Sequence, residues 1–288
     1  MPRSRHLQAA ARRWAGAAAI ACAAGALPVA AGAPERVVSI NLCTDQLGLM
    51  LAAPGQLVSV SRLAHDRESS TMVDAARDLP TNGSGAEEIY LLKPDLVLAG
   101  TFTAAATVNM LRDLGIEVVL FEPARSLADV PDRLTQMGKA LGREEQAQTL
   151  IDRFATELAA LQADATADGP RAVLTYVNSY SSGDATLAGD ILRAAGFRNA
   201  AAELGLSTVG RVSLEELILL DPDVIVQGRD YPGAARAEDN LHHPALRALS
   251  SAVFSAGMTD RDWICGTPHV LTAVRDMRAL RQQVEAAR

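Results

Sequence analysis

The segment EEIYLLKPDLVL, beginning at Glu87, returns 128 residues later as EELILLDPDVIV, beginning at Glu215. Pro94 and Pro222 keep the same spacing of 128, so the match covers a whole unit: paired carboxylates, an apolar helical turn, a Pro-Asp corner and a strand. A chain that holds two such units is expected to fold as two similar lobes.

The first 31 residues stand apart from that plan. MPRSRHLQAAARRW is basic and AGAAAIACAAGALPVA is a run of small apolar residues, the order of a secretory signal. Small-x-small sites at Val29-Ala30-Ala31 and Ala31-Gly32-Ala33 place the mature start near Gly32. No later segment approaches the roughly 20 apolar residues that cross a bilayer. Cys22 raises a lipoprotein reading, but Ala19 stands three places before it, where a bulky aliphatic is usual. The mature chain is therefore expected in the periplasm as a soluble monomer. The leader holds four arginines and no acid, so its loss takes the formal charge from −7 to −11, which speaks against nucleic acid as a partner. Only Cys43 and Cys265 remain, enough for at most one disulfide.

Strand-like runs RVVSI from Arg36, LVSVS from Leu57, DLVLAG from Asp95 and EVVLF from Glu117 alternate with helix-like segments. That alternation indicates a parallel sheet covered on both faces. Beyond Pro123 come two helices, SLADVPDRLTQMGKAL behind a Ser126/Asp129 capping box and GREEQAQTLIDRFATELAALQADA, the second reaching roughly 35 Å. After Pro170 the alternation resumes with AVLTYVNSY, TLAGDILRAAG, SLEELILLDPDVIVQG, HHPALRALS, a short strand around RDWIC and a closing helix. The expected architecture is α/β: two Rossmann-like lobes with parallel sheets, joined by a long rigid interdomain helix. Its divisions are a signal peptide over 1–31, an N-terminal lobe over 32–141, the helix over 142–168 and a C-terminal lobe over 169–288.

Ligands of open parallel sheets meet the loops beyond the carboxyl ends of the strands. In the first lobe those loops carry Asn41, Cys43, Asp45, Arg62, His65, Arg67, Thr101 and Phe102; in the second they carry Tyr180, Arg211, Arg229, Tyr231, Trp263 and Cys265. The arginines suit an anionic chelate or propionates, and Phe102, Tyr180, Tyr231 and Trp263 suit a flat macrocycle. His65 is placed to ligate haem iron or touch cobalamin, against the plainer reading of a polar loop histidine. His242, His243 and His269 form no His-rich loop, so a bare-ion site has thin support.

The segments RVVSINLCTDQL, GAEEIYLLKPDLVLAG, DILRAAGFRNAAAELG with GRVSLEELILLDPDVIV, and WICGTPHVL resemble class III periplasmic substrate-binding proteins of ABC importers across the whole mature chain. The resemblance implies delivery of a cobalt or iron chelate, a corrinoid or ferric siderophore, to an ABC permease dimer and its ATPase. Haem or a bare metal ion is the alternative, and no resident cofactor is implied. It further implies that Glu87 and Glu215, each seven residues before the proline of its unit, meet arginines on the two halves of the permease. The plainer reading is a favourable helix-start charge, with capping boxes at Ser213/Glu216 and Ser84/Glu87.

Three readings of Cys43 and Cys265 compete: a disulfide across the cleft, two buried thiols, or ligation of a soft metal. A bond across the mouth would obstruct ligand entry, so the pair is expected to be unbonded. A remote alternative is an exported α/β enzyme with Cys43 as nucleophile, His65 or His269 as base and Asp45 orienting it. No G-x-S-x-G is present, and NGSGAEE lacks the preceding strand of a nucleotide fingerprint.

Overall fold

The structure, a computed structural model, describes residues 32–166, 168–228, 240–252 and 254–288. The expected leader lies outside the described residues. The first lobe runs β1 (Val37–Ser39), α1 (Leu42–Leu51), β2 (Leu57–Ser61), a 3-10 turn (Arg62–His65), α2 (Val73–Ala76), β3 (Thr81–Asn82), α3 (Ala86–Leu91), β4 (Leu96–Gly100), α4 (Ala105–Asp113) and β5 (Glu117–Phe121). Its five strands are parallel, in the order β3-β2-β1-β4-β5. Val37, Val38, Val97 and Leu98 are wholly buried, because helices cover both faces of these central strands.

Two helices follow, α5 (Asp129–Leu141) and α6 (Glu144–Gln162). α5 ends at Gly142, whose φ of 67° is the left-handed conformation that favours glycine. The two helices pack closely, since a Cβ on Gly138 would lie 2.6 Å from that of Ala147. α6 buries Ala147, Phe154 and Leu161, a narrow stripe on an otherwise polar helix. Just past its end, the Asp164 carboxylate accepts from Arg278 at 2.8 and 3.0 Å and from Gln282 at 3.0 Å.

The second lobe runs β6 (Arg171–Thr175), β7 (Tyr180–Ser182), α7 (Leu187–Ala194), β8 (Arg198–Asn199), β9 (Val209–Arg211), α8 (Leu214–Leu220), β10 (Val224–Gln227), α9 (Pro244–Ala252), β11 (Phe254–Gly257), α10 (Asp260–Trp263) and α11 (Val270–Ala286). Its main sheet is parallel in the order β11-β10-β6-β8. Two expectations are corrected here. AVLTYVNSY is not one strand, because Asn178 and Ser179 adopt left-handed φ of 57° and 59° and turn the chain into β7, which pairs antiparallel with β9. RDWIC is not a strand either: Thr259 donates to the Asp262 carboxylate at 2.5 Å, α10 begins, and the strand is the preceding Phe254–Gly257.

The repeated Pro-Asp corner has one geometry in both lobes. Lys93 and Asp221, the residues before the prolines, both take left-handed φ, 50° and 45°. The next carboxylate then holds the neighbouring strand: Asp95 accepts from the Glu35 and Arg36 backbone at 2.7 and 3.0 Å, and Asp223 accepts from the Arg171 backbone at 2.7 Å. Arg36 and Arg171 in turn donate to the Leu92 and Asp221 carbonyls at 2.8 and 3.0 Å, tying off each repeated helix. One apolar core runs through both lobes, from Val37 and Leu98 through Phe154 and Leu161 of α6 to Leu174, Val226 and Val274. The outer face of each sheet has its own smaller cluster, around Ile89 and Leu111 and around Leu217 and Leu246.

Candidate functional site

β1 delivers Asn41 to the carboxyl edge of the first sheet, where it caps α1: its Oδ1 accepts from the Cys43 and Thr44 backbone at 3.0 and 3.4 Å. Cys43 is thereby fixed in the first turn of α1, facing the second lobe. There it is bonded to Cys265, 222 positions later in the sequence and in the loop between α10 and α11, with sulfurs 2.10 Å apart. The expectation of two unbonded cysteines is overturned. It assumed a bond across the mouth, whereas Cys265 is buried and the bond lies at the foot of the cleft. Beside it the lobes touch directly. A Cβ on Gly266 would come within 2.1 Å of that of Ala124, so only glycine fits. Thr267 Oγ1 donates to Gln46 Oε1 at 3.4 Å, and the Leu127 backbone donates to the buried Asp190 carboxylate at 2.7 Å.

Above this seam a cavity of about 90 Å³ is lined by Asn41, Cys43, Thr101, Phe102, Glu122 and Arg133 from the first lobe and by Ile264 and Gly266 from the second. Phe102 is 83% exposed and Ile264 53% exposed, so both lobes offer apolar surface at the mouth. Thr101 donates to Glu122 at 3.2 Å. Tyr180 and Arg211 are cross-strand partners on β7 and β9, and the Arg211 guanidinium stands 5.2 Å from the ring centre, a cation-π contact.

The remaining expected residues divide. Asp45 is fully buried and accepts from the Ser61 backbone and hydroxyl at 3.1 and 2.5 Å, so it serves its own lobe and no ligand reaches it. Burial pushes its carboxyl above the ordinary range, against the lowering effect of bonds from Ser39 and Ser61. Trp263 is 7% exposed and packs in the shared core, because the α10 turn sends it inward and its neighbour Ile264 outward. His65 is exposed and its Nε2 lies 2.9 Å from the Ala76 carbonyl, which assigns the proton to Nε2 and leaves the Nδ1 lone pair unused by that bond. Arg62 lies over Gly83 beside Glu88, and Arg67 stands 3.9 Å from Asp74 with both side chains exposed. Arg229 and Tyr231 lie outside the described residues. His243 Nδ1 accepts from the Ala245 backbone at 3.2 Å, and burial lowers the pKa of His269 against the opposing charge of Asp262. Among the described residues no three His, Cys, Asp or Glu side chains gather to hold a metal ion. A bonded Cys43 carries no thiolate, so the nucleophile of the enzyme alternative is lost too.

Ile264, Glu122 and Arg133 line the cavity without having been expected there. Glu122 follows β5 directly, at a strand end from which no residue was singled out. Arg133 comes from the side of α5, for which that rule carries no signal.

The repeated glutamates separate into two roles. Glu88 accepts from the Gly83 backbone at 2.7 Å and Glu216 from the Ser213 backbone at 2.8 Å, the latter within a full capping box. A Ser84/Glu87 box does not form, since Ser84 donates instead to the Ile40 carbonyl at 3.1 Å. Glu87 and Glu215 are exposed and have no hydrogen bond or ion pair among the described residues. The bond to Ile40, next to Asn41, sets the start of α3 at the same sheet edge as the cleft loops. In the second lobe the Val212 backbone donates to Ser179 at 2.9 Å and sets the start of α8 likewise.

A family model described as "Periplasmic binding protein" matches residues 37–228. A Halobacterium salinarum protein named cobalamin-binding protein is 32% identical over 232 residues, which cover 78% of this chain and 62% of that one. The chain thus spans about three fifths of the length of that relative. A vitamin B12-binding protein of Yersinia pseudotuberculosis is 24% identical over 265 residues, 90% of this chain and 91% of that one. Among solved structures, the periplasmic heme-binding protein RhuT from Roseiflexus sp. RS-1 in its apo form superposes with a TM-score of 0.72 at 21% identity, over 87% of this chain and 98% of that one. At that identity the likeness is one of fold.

Proposed function

Because the chain belongs to the periplasmic binding protein family, we propose that it is the substrate-binding protein of an ABC importer and delivers a corrinoid to the permease. The observation that carries this reading is the meeting of loops from both lobes at one cavity, lined by exposed Phe102 and Ile264 and by Cys43 of the Cys43–Cys265 bond. A cavity of about 90 Å³ is far below the roughly 300 Å³ at which small-molecule pockets begin, so the ligand lies across the mouth. Apolar rim residues beside Asn41 and Thr101 suit a large, nearly neutral ligand with a polar periphery. The names of the halobacterial and Yersinia relatives support the corrinoid over other chelates.

A second reading, haem, is favoured by His65, whose Nε2 is engaged while Nδ1 is left with a lone pair. Ferric siderophores are the third. Equilibrium dialysis against cyanocobalamin, hemin and a ferric hydroxamate, read by visible spectroscopy, separates them. Retention of cyanocobalamin is expected; retention of hemin with a His65-dependent Soret shift replaces the corrinoid by haem.

In the same reading, Glu87 and Glu215 meet basic residues on the two halves of a permease dimer coupled to an ATPase, and the cleft faces the same membrane subunits. Residues 1–31 act as an export signal and the mature chain works in the periplasm; intact-mass measurement showing acyl chains on Cys22 would make it a membrane-anchored lipoprotein instead.

A further inference from the structure

We propose that the Cys43–Cys265 disulfide is the positioning element of the ligand site: it fixes the separation of the lobes under the mouth, so that a large ligand rests on the rim and does not pass between them. The proposal depends on the cleft being the ligand site and adds to it a role for a bond that the family reading does not require.

The bond is placed to do this. It joins the first turn of α1 to the loop before α11, and those two segments carry rim residues of opposite lobes, Asn41 and Ile264. Any change in sulfur position moves one rim against the other. Gly266 meets Ala124 with no room for a Cβ, and Thr267 reaches Gln46, so the chain beside Cys265 is already seated against the first lobe. Among the described residues, the cavity beside the bond measures about 90 Å³, enough for a projecting side group and not for a macrocycle. A site fixed before the ligand arrives avoids the ordering cost of closing on it, which is where pre-organisation raises affinity.

A stabilising staple with no part in binding makes a different prediction. It would lower the melting temperature when cut and leave the affinity of folded protein unchanged. The experiment compares the oxidised chain, the Cys43→Ser/Cys265→Ser double variant, and wild type reduced after folding by dithiothreitol. In that last reaction the S–S bond takes two electrons and two protons to give two thiols, and the reagent closes to its cyclic disulfide. The reduced protein is desalted without air before any probe is added, and part of it is reoxidised. Cyanocobalamin, hemin and a ferric hydroxamate are the probes in equilibrium dialysis; hydrogen exchange at the Leu127 amide, which donates to Asp190 across the seam, is read without ligand.

Cutting the bond is expected to speed exchange at Leu127 and to weaken probe binding on the order of tenfold, the factor that follows if only about a tenth of the molecules keep the competent spacing. Reoxidation should restore both. Unchanged affinity in folded, cut protein overturns the proposal, whatever the exchange at Leu127, while leaving the binding function intact. Failure of the oxidised chain to retain any of the three probes overturns the binding function, and this proposal with it. If the double variant does not fold, the reduced and reoxidised wild type gives the same comparison.

Discussion

Asp45 and Asp223 are both carboxylates in hydrogen-bonded sites, yet they respond to pH with opposite signs. Burial raises Asp45, so the folded chain binds its proton more tightly than the unfolded chain does. Its contribution is therefore most favourable at low pH and declines as pH rises from the ordinary carboxylate value through the raised one. Burial also pushes Asp223 up, but the Arg171 backbone and the Arg288 guanidinium outweigh it and hold the group low. Its contribution is present at neutral pH and lost as pH falls through that depressed value. Asp45→Asn keeps an acceptor for the Ser61 backbone and removes the buried charge. It is expected to stabilise the protein at pH 8, with the gain shrinking toward pH 4, in denaturant unfolding at both values. The same two cases show what was legible in single residues. Asn41, Thr101 and Phe102 could be placed at the cleft because each lies within two residues of a strand's end, which sets where it emerges. Asp45 and Trp263 could not, since each lies within a helical turn and the turn rotates it back into its own lobe.

At the scale of elements, α3 and α8 are copies in position as well as in sequence. Each uses its second glutamate to satisfy the backbone before the helix and leaves its first exposed. Three and four residues on, the same helical face carries Tyr90 and Leu91 in one lobe and Ile218 and Leu219 in the other, with the leucines 76% and 84% exposed. A helix-start charge accounts for the outer glutamate but not for the exposed leucine. Glu87→Lys with Glu215→Lys is expected to abolish most uptake in cells while leaving ligand affinity unchanged and costing no more than about 1 kcal/mol of stability. Uptake assays, dialysis and thermal melts on the same preparations check it, and normal uptake by the folded double variant would return the repeat to helix-start chemistry. The repeat itself was readable because proline, aspartate and carboxylate pairs keep their spacing whatever surrounds them. The β7–β9 ribbon was not, because Asn178-Ser179, a turn-prone pair, sits inside a β-like run whose pattern hides it.

In the whole molecule, one core and one disulfide make the two lobes mechanically a single body. Alternation of strand and helix made both sheets foreseeable, but the pairing of two cysteines 222 residues apart depends on how the lobes lie against each other, which no local pattern records. Closing so long a loop constrains the unfolded chain, and its loss is expected to cost roughly 2–5 kcal/mol. Calorimetry with and without dithiothreitol should show a lower melting temperature and a single transition in both, since the shared core unfolds as one. Two separated transitions in the reduced protein would mean that the core does not couple the lobes. The order of synthesis gives the bond another meaning. Cys43 is made early and Cys265 only 222 residues later, so every unfinished or truncated copy carries a free sulfur on an incomplete rim. Once the leader with Cys22 is gone, a thiol-reactive reagent thus marks the chains that stop short of Cys265 and passes over those in which the bond has closed.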